Sequence, residues 1–223
     1  MKIESFKSKV VNNMKITVLG ATGRTGSKLV KYLEKDHQLT LLVRDKEKAS
    51  SLNLNPRHIV SGDVLNKQDL DLAIHENTDL VISCLSTDKQ NTLSRLAPGL
   101  IARMEEFSNI RFIGIGTAGI LDAKHEPGKY RFQSSESKRS STTAAEDHLA
   151  LYQQIQQSHV NWTIICPTYL PEETEERPVT FEFDRLPEGV KRIGTATLAR
   201  FITDHLQNHT FMNRRVGVGE VPD

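Results

Sequence analysis

The chain has 223 residues, 37% of them apolar and 6% aromatic, with 29 basic against 28 acidic side chains and a formal net charge of +1. That length and apolar content suit one α/β domain around a buried sheet, and the near-neutral balance argues against a general nucleic-acid surface. No apolar run approaches the roughly 18–20 residues of a membrane span, and Cys84 and Cys166 end separate apolar runs, which points to reduced buried thiols in a cytoplasmic setting rather than a disulfide or metal pair.

Residues 1–13 are polar, lack the apolar region of a signal peptide, and read as an arm ahead of the first strand, with Met14 as an alternative start. An apolar stretch, 15–19, then runs directly into Gly20-Ala-Thr22-Gly23-Arg24-Thr25-Gly26. Gly20 can adopt backbone angles that other residues resist, Gly23 lets main chain approach a pyrophosphate, and Gly26 removes a side chain where a helix crosses the sheet. Strand, glycine-spaced turn and helix in that order form the dinucleotide fingerprint, in which the helix N-terminus offers free N–H groups to phosphates. The competing reading is a tight turn that binds nothing.

A helix follows over 24–35, with Leu29, Val30 and Leu33 on one face, and further strands are expected at 39–43, 58–60, 80–84, 110–115 and 162–166. The clearest later helices span 91–107 and 142–158. Strands that are almost continuously apolar and alternate with helices predict a doubly wound parallel sheet, a Rossmann fold, in a single domain over 14–223. Its ligand lies across the carboxyl ends of the strands where strand order reverses. Two stretches lack periodicity: 119–141, rich in Lys and Ser, and the acidic, proline-bounded 171–178. Each is either solvated surface or the rim of a substrate pocket.

Arg44 follows the second strand, where an NAD site would place a carboxylate against the ribose hydroxyls and an NADP site a cation. NADPH is therefore the expected cofactor and NADH the lesser possibility, since Asp45 stands next to Arg44. Arg24 is read as converging with Arg44 on one phosphate, and Lys48 as part of a solvated helix face. Asp63, followed by Val64, either accepts from the adenine amino group or caps a helix beginning near Lys67. Cys84-Leu85-Ser86 and the small residues around Thr117 end two strands and open onto the same crevice.

These features together resemble the atypical short-chain dehydrogenase/reductases that bind NAD(P)H, the group of NmrA-like proteins and small biliverdin/flavin reductases. The residues carrying the resemblance are Gly20 to Gly26, Leu42-Val-Arg-Asp45, Gly62-Asp-Val64, the Thr117 turn, Glu146-Asp-His148 and Trp162-Thr-Ile-Ile-Cys-Pro167-Thr-Tyr169-Leu170. Block order is closer to the biliverdin/flavin reductase branch. The resemblance implies hydride transfer from NADPH to a flat conjugated acceptor, such as a flavin, quinone or tetrapyrrole-like molecule. In that branch a Ser after the fifth strand and a His after the sixth border the substrate pocket, and this chain has Thr117 and Tyr169 at the matching places. Thr117 and Tyr169 are thus the catalytic candidates, with Thr117 and Pro167 also expected against the cofactor and pocket elements within 117–141 and 167–190.

The Tyr and Lys pair of ordinary short-chain dehydrogenases, four residues apart, is missing: Tyr130 is followed by Ser134, and Thr142 and Thr143 stand where related chains place the Lys. Alcohol chemistry is disfavoured, whereas a reductase and a non-catalytic NmrA-like sensor acting through a protein partner both remain open. An isomerase or epimerase fits less well, for want of length for a sugar-binding domain. The expected partner is a small-molecule acceptor, with no nucleic acid, membrane or metal, and the chain a monomer or homodimer. His205 and His209 would share a helix face that ends at Asn208, His148 would face either the cleft or a helix surface, and Ser134, Ser135, Ser140, Ser141 or Thr142 could cap the 142–158 helix.

Overall fold

The computed structural model describes residues 13–86, 90–107, 109–137 and 140–222. Apart from Asn13, the polar arm lies outside them. The chain begins with β1 (Lys15–Leu19), α1 (Arg24–Leu33), β2 (Gln38–Val43), α2 (Lys46–Ser51), β3 (His58–Ser61) and α3 (Lys67–Ala73). It continues through β4 (Leu80–Ser83), α4 (Thr92–Glu105), β5 (Arg111–Ile115), α5 (Thr143–Ile155), β6 (Asn161–Pro167), β7 (Val179–Phe183), α6 (Thr195–Asp204) and β8 (Arg214–Glu220). One sheet orders the strands β3-β2-β1-β4-β5-β6-β8-β7, and strand order reverses between β1 and β4. α1 and α6 share one face, burying Leu29, Val30, Leu33, Leu198 and Ile202 against β1 and β2; α3, α4 and α5 cover the other, around Leu96, Leu100, Phe112 and Ile164. The expected doubly wound fold is the observed one.

It is not wholly parallel, however. β7 runs antiparallel to β8, and β8 is inserted between β6 and β7, giving two strands beyond the six expected. β8 reads Arg-Arg-Val-Gly-Val-Gly-Glu, and glycine ordinarily weakens a strand. Here a Cβ on Gly217 would lie 1.9 Å from the Arg185 carbonyl oxygen, and one on Gly219 would lie 2.6 Å from the Val190 side chain. Close approach of the 185–190 connection explains both glycines, and only folding creates it.

The 119–141 stretch is more structured than its composition indicates. Short 3-10 turns form at Ala118–Ile120 and Arg131–Gln133, and Asp122 bridges Tyr130. The buried Arg215 guanidinium, on β8, donates to the Ile120 carbonyl at 2.6 Å, to Asp122 at 2.8 Å and to Asp184 at 3.0 Å. It also stacks over Tyr152 and Tyr130, so one side chain ties the loop to the sheet. Tyr130 is thereby a packing residue of this cluster.

Helix caps also differ from expectation. Thr142 occupies the N-cap position of α5, but its hydroxyl bonds to the Glu146 carboxylate instead of a backbone N–H. Asp147, buried on α5, accepts from the N–H groups of Leu93 and Ser94, so the start of α4 is capped from a neighbouring helix. His148 is buried on that same helix. His205 and His209 do not share a helix: α6 ends at Asp204, His205 bonds to the Phe201 carbonyl and stacks flat on Phe211, and His209 begins a separate turn beside Met212. Among the described residues no helix is long and apolar enough to cross a membrane.

Candidate functional site

The carboxyl ends of β1 to β4 surround a cleft of about 300 Å³. Its floor is the Gly20 turn. Gly20 has φ +78°, and a Cβ there would sit 2.9 Å from the Cys84 carbonyl carbon and 3.0 Å from the Leu85 nitrogen, so the two halves of the sheet meet main chain to main chain. Gly26 serves the turn itself, because its Cβ would stand 2.2 Å from the Gly20 carbonyl oxygen. Gly23 is the N-cap of α1, no side chain caps that helix, and its first turn carries no acidic residue. The N–H groups there are left for an anion.

Of the sequence candidates, Gly20, Thr22, Gly23, Arg44, Asp63, Val64, Cys84, Leu85 and Ser86 line this cleft. Thr25 and Gly26 do not; both are buried beneath it. Leu42, Val43 and Gly62, from the blocks that carry the resemblance, complete the wall together with Leu65, Gln90 and Thr92, whose residue types gave no mark beforehand. Lys48 also lines it, on α2 four residues beyond Arg44, and its side chain is exposed, so the solvated helix face of Lys48 is also a rim of the cleft. Asp45 is spent locally: it is the N-cap of α2 and accepts from the Lys48 N–H at 3.0 Å. Among the described residues neither the Arg44 nor the Lys48 side chain has a carboxylate partner within 4.0 Å, and both are exposed.

Asp63 faces the cleft and accepts from the Leu65 N–H at 2.8 Å, while its own N–H donates to Asp69. It does not cap α3. Asn66 does, accepting from Gln68 and Asp69. Burial pushes the Cys84 thiol up to about 12, so at neutral pH it is a protonated wall group and no nucleophile. Cys166, also free and fully buried behind Gly116, is raised to about 12 for the same reason.

A second hollow of about 410 Å³ lies at the carboxyl ends of β5 and β6, lined by Arg24, Gly116, Thr117, Pro167, Thr168, Tyr169, Leu170, Pro171 and Glu172. Thr117 and Thr168 also border a smaller recess of about 60 Å³ that reaches Arg131, Phe132 and Thr142. The Thr117 hydroxyl accepts from the Gly119 N–H at 3.3 Å and so caps the 3-10 turn. Tyr169 is 63% exposed; its backbone bridges Arg192 and accepts from the Ile193 N–H at 2.9 Å. Arg192 pairs with Glu173 and with the buried Glu220, and Thr195 and Thr197 bond the 171–178 segment to α6. Arg24 belongs to this hollow and not to the first, and the expected convergence of Arg24 with Arg44 is not formed. Arg24 leaves the start of α1 in the direction of the Leu170 carbonyl, 3.5 Å away.

A doubly wound sheet whose glycine turn and uncapped helix face a cleft at the strand-order reversal defines a nucleotide-binding Rossmann protein. A family model described as NAD(P)H-binding matches residues 20–209, and the chain belongs to that family. Among solved structures it is similar to a protein from Lactobacillus casei at 25% identity, covering 94% of this chain and 100% of that one with a TM-score of 0.78. A protein from Streptococcus pneumoniae described as a candidate NADH-flavin reductase matches at 20% identity over 93% of this chain and all of its own, with a TM-score of 0.76. A wide-type short-chain dehydrogenase/reductase from Veillonella parvula in complex with NADP matches at 21% identity, over 93% and 94% of the two chains, with a TM-score of 0.71. These last two likenesses bear on the fold.

Proposed function

We propose that this protein is an NADPH-dependent reductase that transfers hydride to a flat conjugated small molecule of the flavin, quinone or tetrapyrrole kind. The observation that carries the cofactor choice is the state of the adenosine end of the cleft: Arg44 and Lys48 have no carboxylate partner there among the described residues, while Asp45, next to Arg44, is engaged at a helix cap and Asp63, in the same cleft, accepts from the Leu65 N–H. The Arg44 and Lys48 pair suits a ribose phosphate, which NADPH has and NADH lacks. The glycine cradle fits the diphosphate, because the space a Cβ would fill at Gly20 and Gly26 is taken by main chain and the α1 amides are free of side-chain caps.

When bound, the nicotinamide supplies the hydride. This chain's residues supply position and dryness. The turn from Gly20 to Gly26 holds the diphosphate, with Asp63 and Val64 beside the adenine and Cys84, Leu85 and Ser86 walling the middle of the cleft. Thr117, just past the end of β5, borders both the second hollow and the smaller recess, and Pro167 and Tyr169 wall the second hollow. Loops within 117–141 and 167–190 frame the acceptor pocket of a single domain spanning 14–223. With no Tyr and Lys pair on the helix, the acceptor takes its proton from water.

The test is a fluorescence titration of NADPH and NADH against wild type and Arg44→Asp, joined to turnover with FMN, FAD or a quinone followed at the nicotinamide absorbance band. The expected result is turnover, with the wild-type preference for NADPH falling by about tenfold or more in the variant. An unchanged preference removes Arg44 from the phosphate site. Tight nucleotide binding without turnover on any acceptor replaces the reductase by a sensor.

A further inference from the structure

The sequence placed Arg24 on the cofactor's phosphate, and the structure turns it away. Arg24 is the first residue of α1, directly after Gly23, yet it lines the hollow of Thr117, Pro167 and Tyr169 and is absent from the cleft that Arg44 and Lys48 border. The one bond of its side chain among the described residues is a long one to the Leu170 carbonyl, which leaves most of the five guanidinium donors without a protein partner. The contrast with Arg131, in the neighbouring recess, is informative: Arg131 is neutralised by Glu136 at 3.2 Å, whereas Arg24 has no carboxylate within 4.0 Å among the described residues. Glu172 shares the rim of the hollow and forms no ion pair among the described residues. A cation at the first position of a helix also faces the positive end of the macrodipole, a placement that an incoming anion relieves.

We infer that Arg24 selects acceptors bearing a phosphate or carboxylate, and that the substrate of this hollow is an anionic conjugated ring compound. The inference rests on the reductase reading and assigns the chemical class of its acceptor. The planar guanidinium grips the anion in a bidentate fork while the exposed Tyr169 ring offers the flat partner a face to stack on. Because Arg24 is exposed, its contribution weakens as salt is raised.

FMN and riboflavin share one ring system and differ by a phosphate, so they are the probes. Their dissociation constants are measured by flavin fluorescence with protein saturated in NADP⁺, which needs no turnover, and kcat/KM for both is measured with NADPH. Wild type should bind FMN about tenfold more tightly than riboflavin at low salt; Arg24→Gln should bring the ratio close to one, and Arg24→Lys should keep part of it. Equal binding of the two flavins by wild type overturns the inference. So does an Arg24→Gln variant whose loss falls on NADPH affinity instead, since that returns the guanidinium to the cofactor. Flavin discrimination in the binding arm with no hydride transfer in the kinetic arm retains the anion site and sinks the reductase reading alone.

Discussion

At the β1–β4 end of the sheet the pocket wall is main chain: the Gly20 turn against Cys84 and Leu85, the free amides of α1, and strand ends that stop where the ligand edge begins. At the β6–β8 end the walls are loops held by side chains that arrive from far along the chain, Arg215 for the 118–131 turns and Glu220 with Arg192 for the Tyr169 strap. A wall of backbone admits one shape and tolerates little. A wall of tethered loops can be re-cut by changing residues between the tethers.

Three substitutions break or sharpen this contrast. The largest effect is expected from Arg215→Ala, which strips the tether from the Ile120 carbonyl, Asp122 and Asp184 and removes the stack on Tyr152. Loss of about 3–5 kcal/mol in denaturant unfolding is expected, with nucleotide affinity close to wild type. A parallel fall in nucleotide affinity would mean that the two ends are one cooperative unit. Next comes Gly26→Ala. A single methyl 2.2 Å from the Gly20 carbonyl oxygen forces the turn open, for about 1–3 kcal/mol in thermal unfolding and a loss of NADPH binding. Retained binding would show that the backbone wall is more pliant than its geometry.

The smallest effect concerns acid. In the 119–137 loop, Glu126 accepts from the Lys129 ammonium and from the Ser135 N–H, which lower it from the ordinary 4.5 to about 2. A carboxyl depressed in the folded state lends stability that is fully present above its unfolded value and is lost as pH falls through the folded one. Loop protection from pepsin should therefore decline between about pH 4.5 and 2, and Glu126→Gln should weaken the pH dependence across that window, leaving the share of Glu136, whose backbone and Arg131 hydrogen bonds outweigh its burial and lower it too. An identical profile in the variant would assign the acid sensitivity to another group.

The residues read successfully onto the cleft, such as Gly20, Gly23, Arg44, Asp63 and Cys84, share one property: each stands within a few positions of the end of an apolar strand. In a doubly wound sheet that is the ligand edge, so position along the chain already implies position in space. Gln90 and Thr92 carry no such mark, because they stand around the start of α4 and reach the cleft only through the packing of that helix. Asp147 reads as a helix residue of α5, and its work lies on α4, 53 and 54 residues away. β8 was missed because its glycines argue against a strand until the Arg185 carbonyl lies over one of them.

By itself the sequence determined the glycine turn, the alternation of strand and helix and, through them, the fold and the nucleotide cleft. Each of these depends on backbone preferences and apolar spacing among neighbours only a few residues apart. The direction of Arg24, the insertion of β8 and the tethering of the acceptor loops were decided only in three dimensions. Each depends on partners such as Leu170 for Arg24, 146 residues apart, or Ile120 for Arg215, 95 apart, and the reach of a side chain acquires meaning only when folding has set its partner beside it.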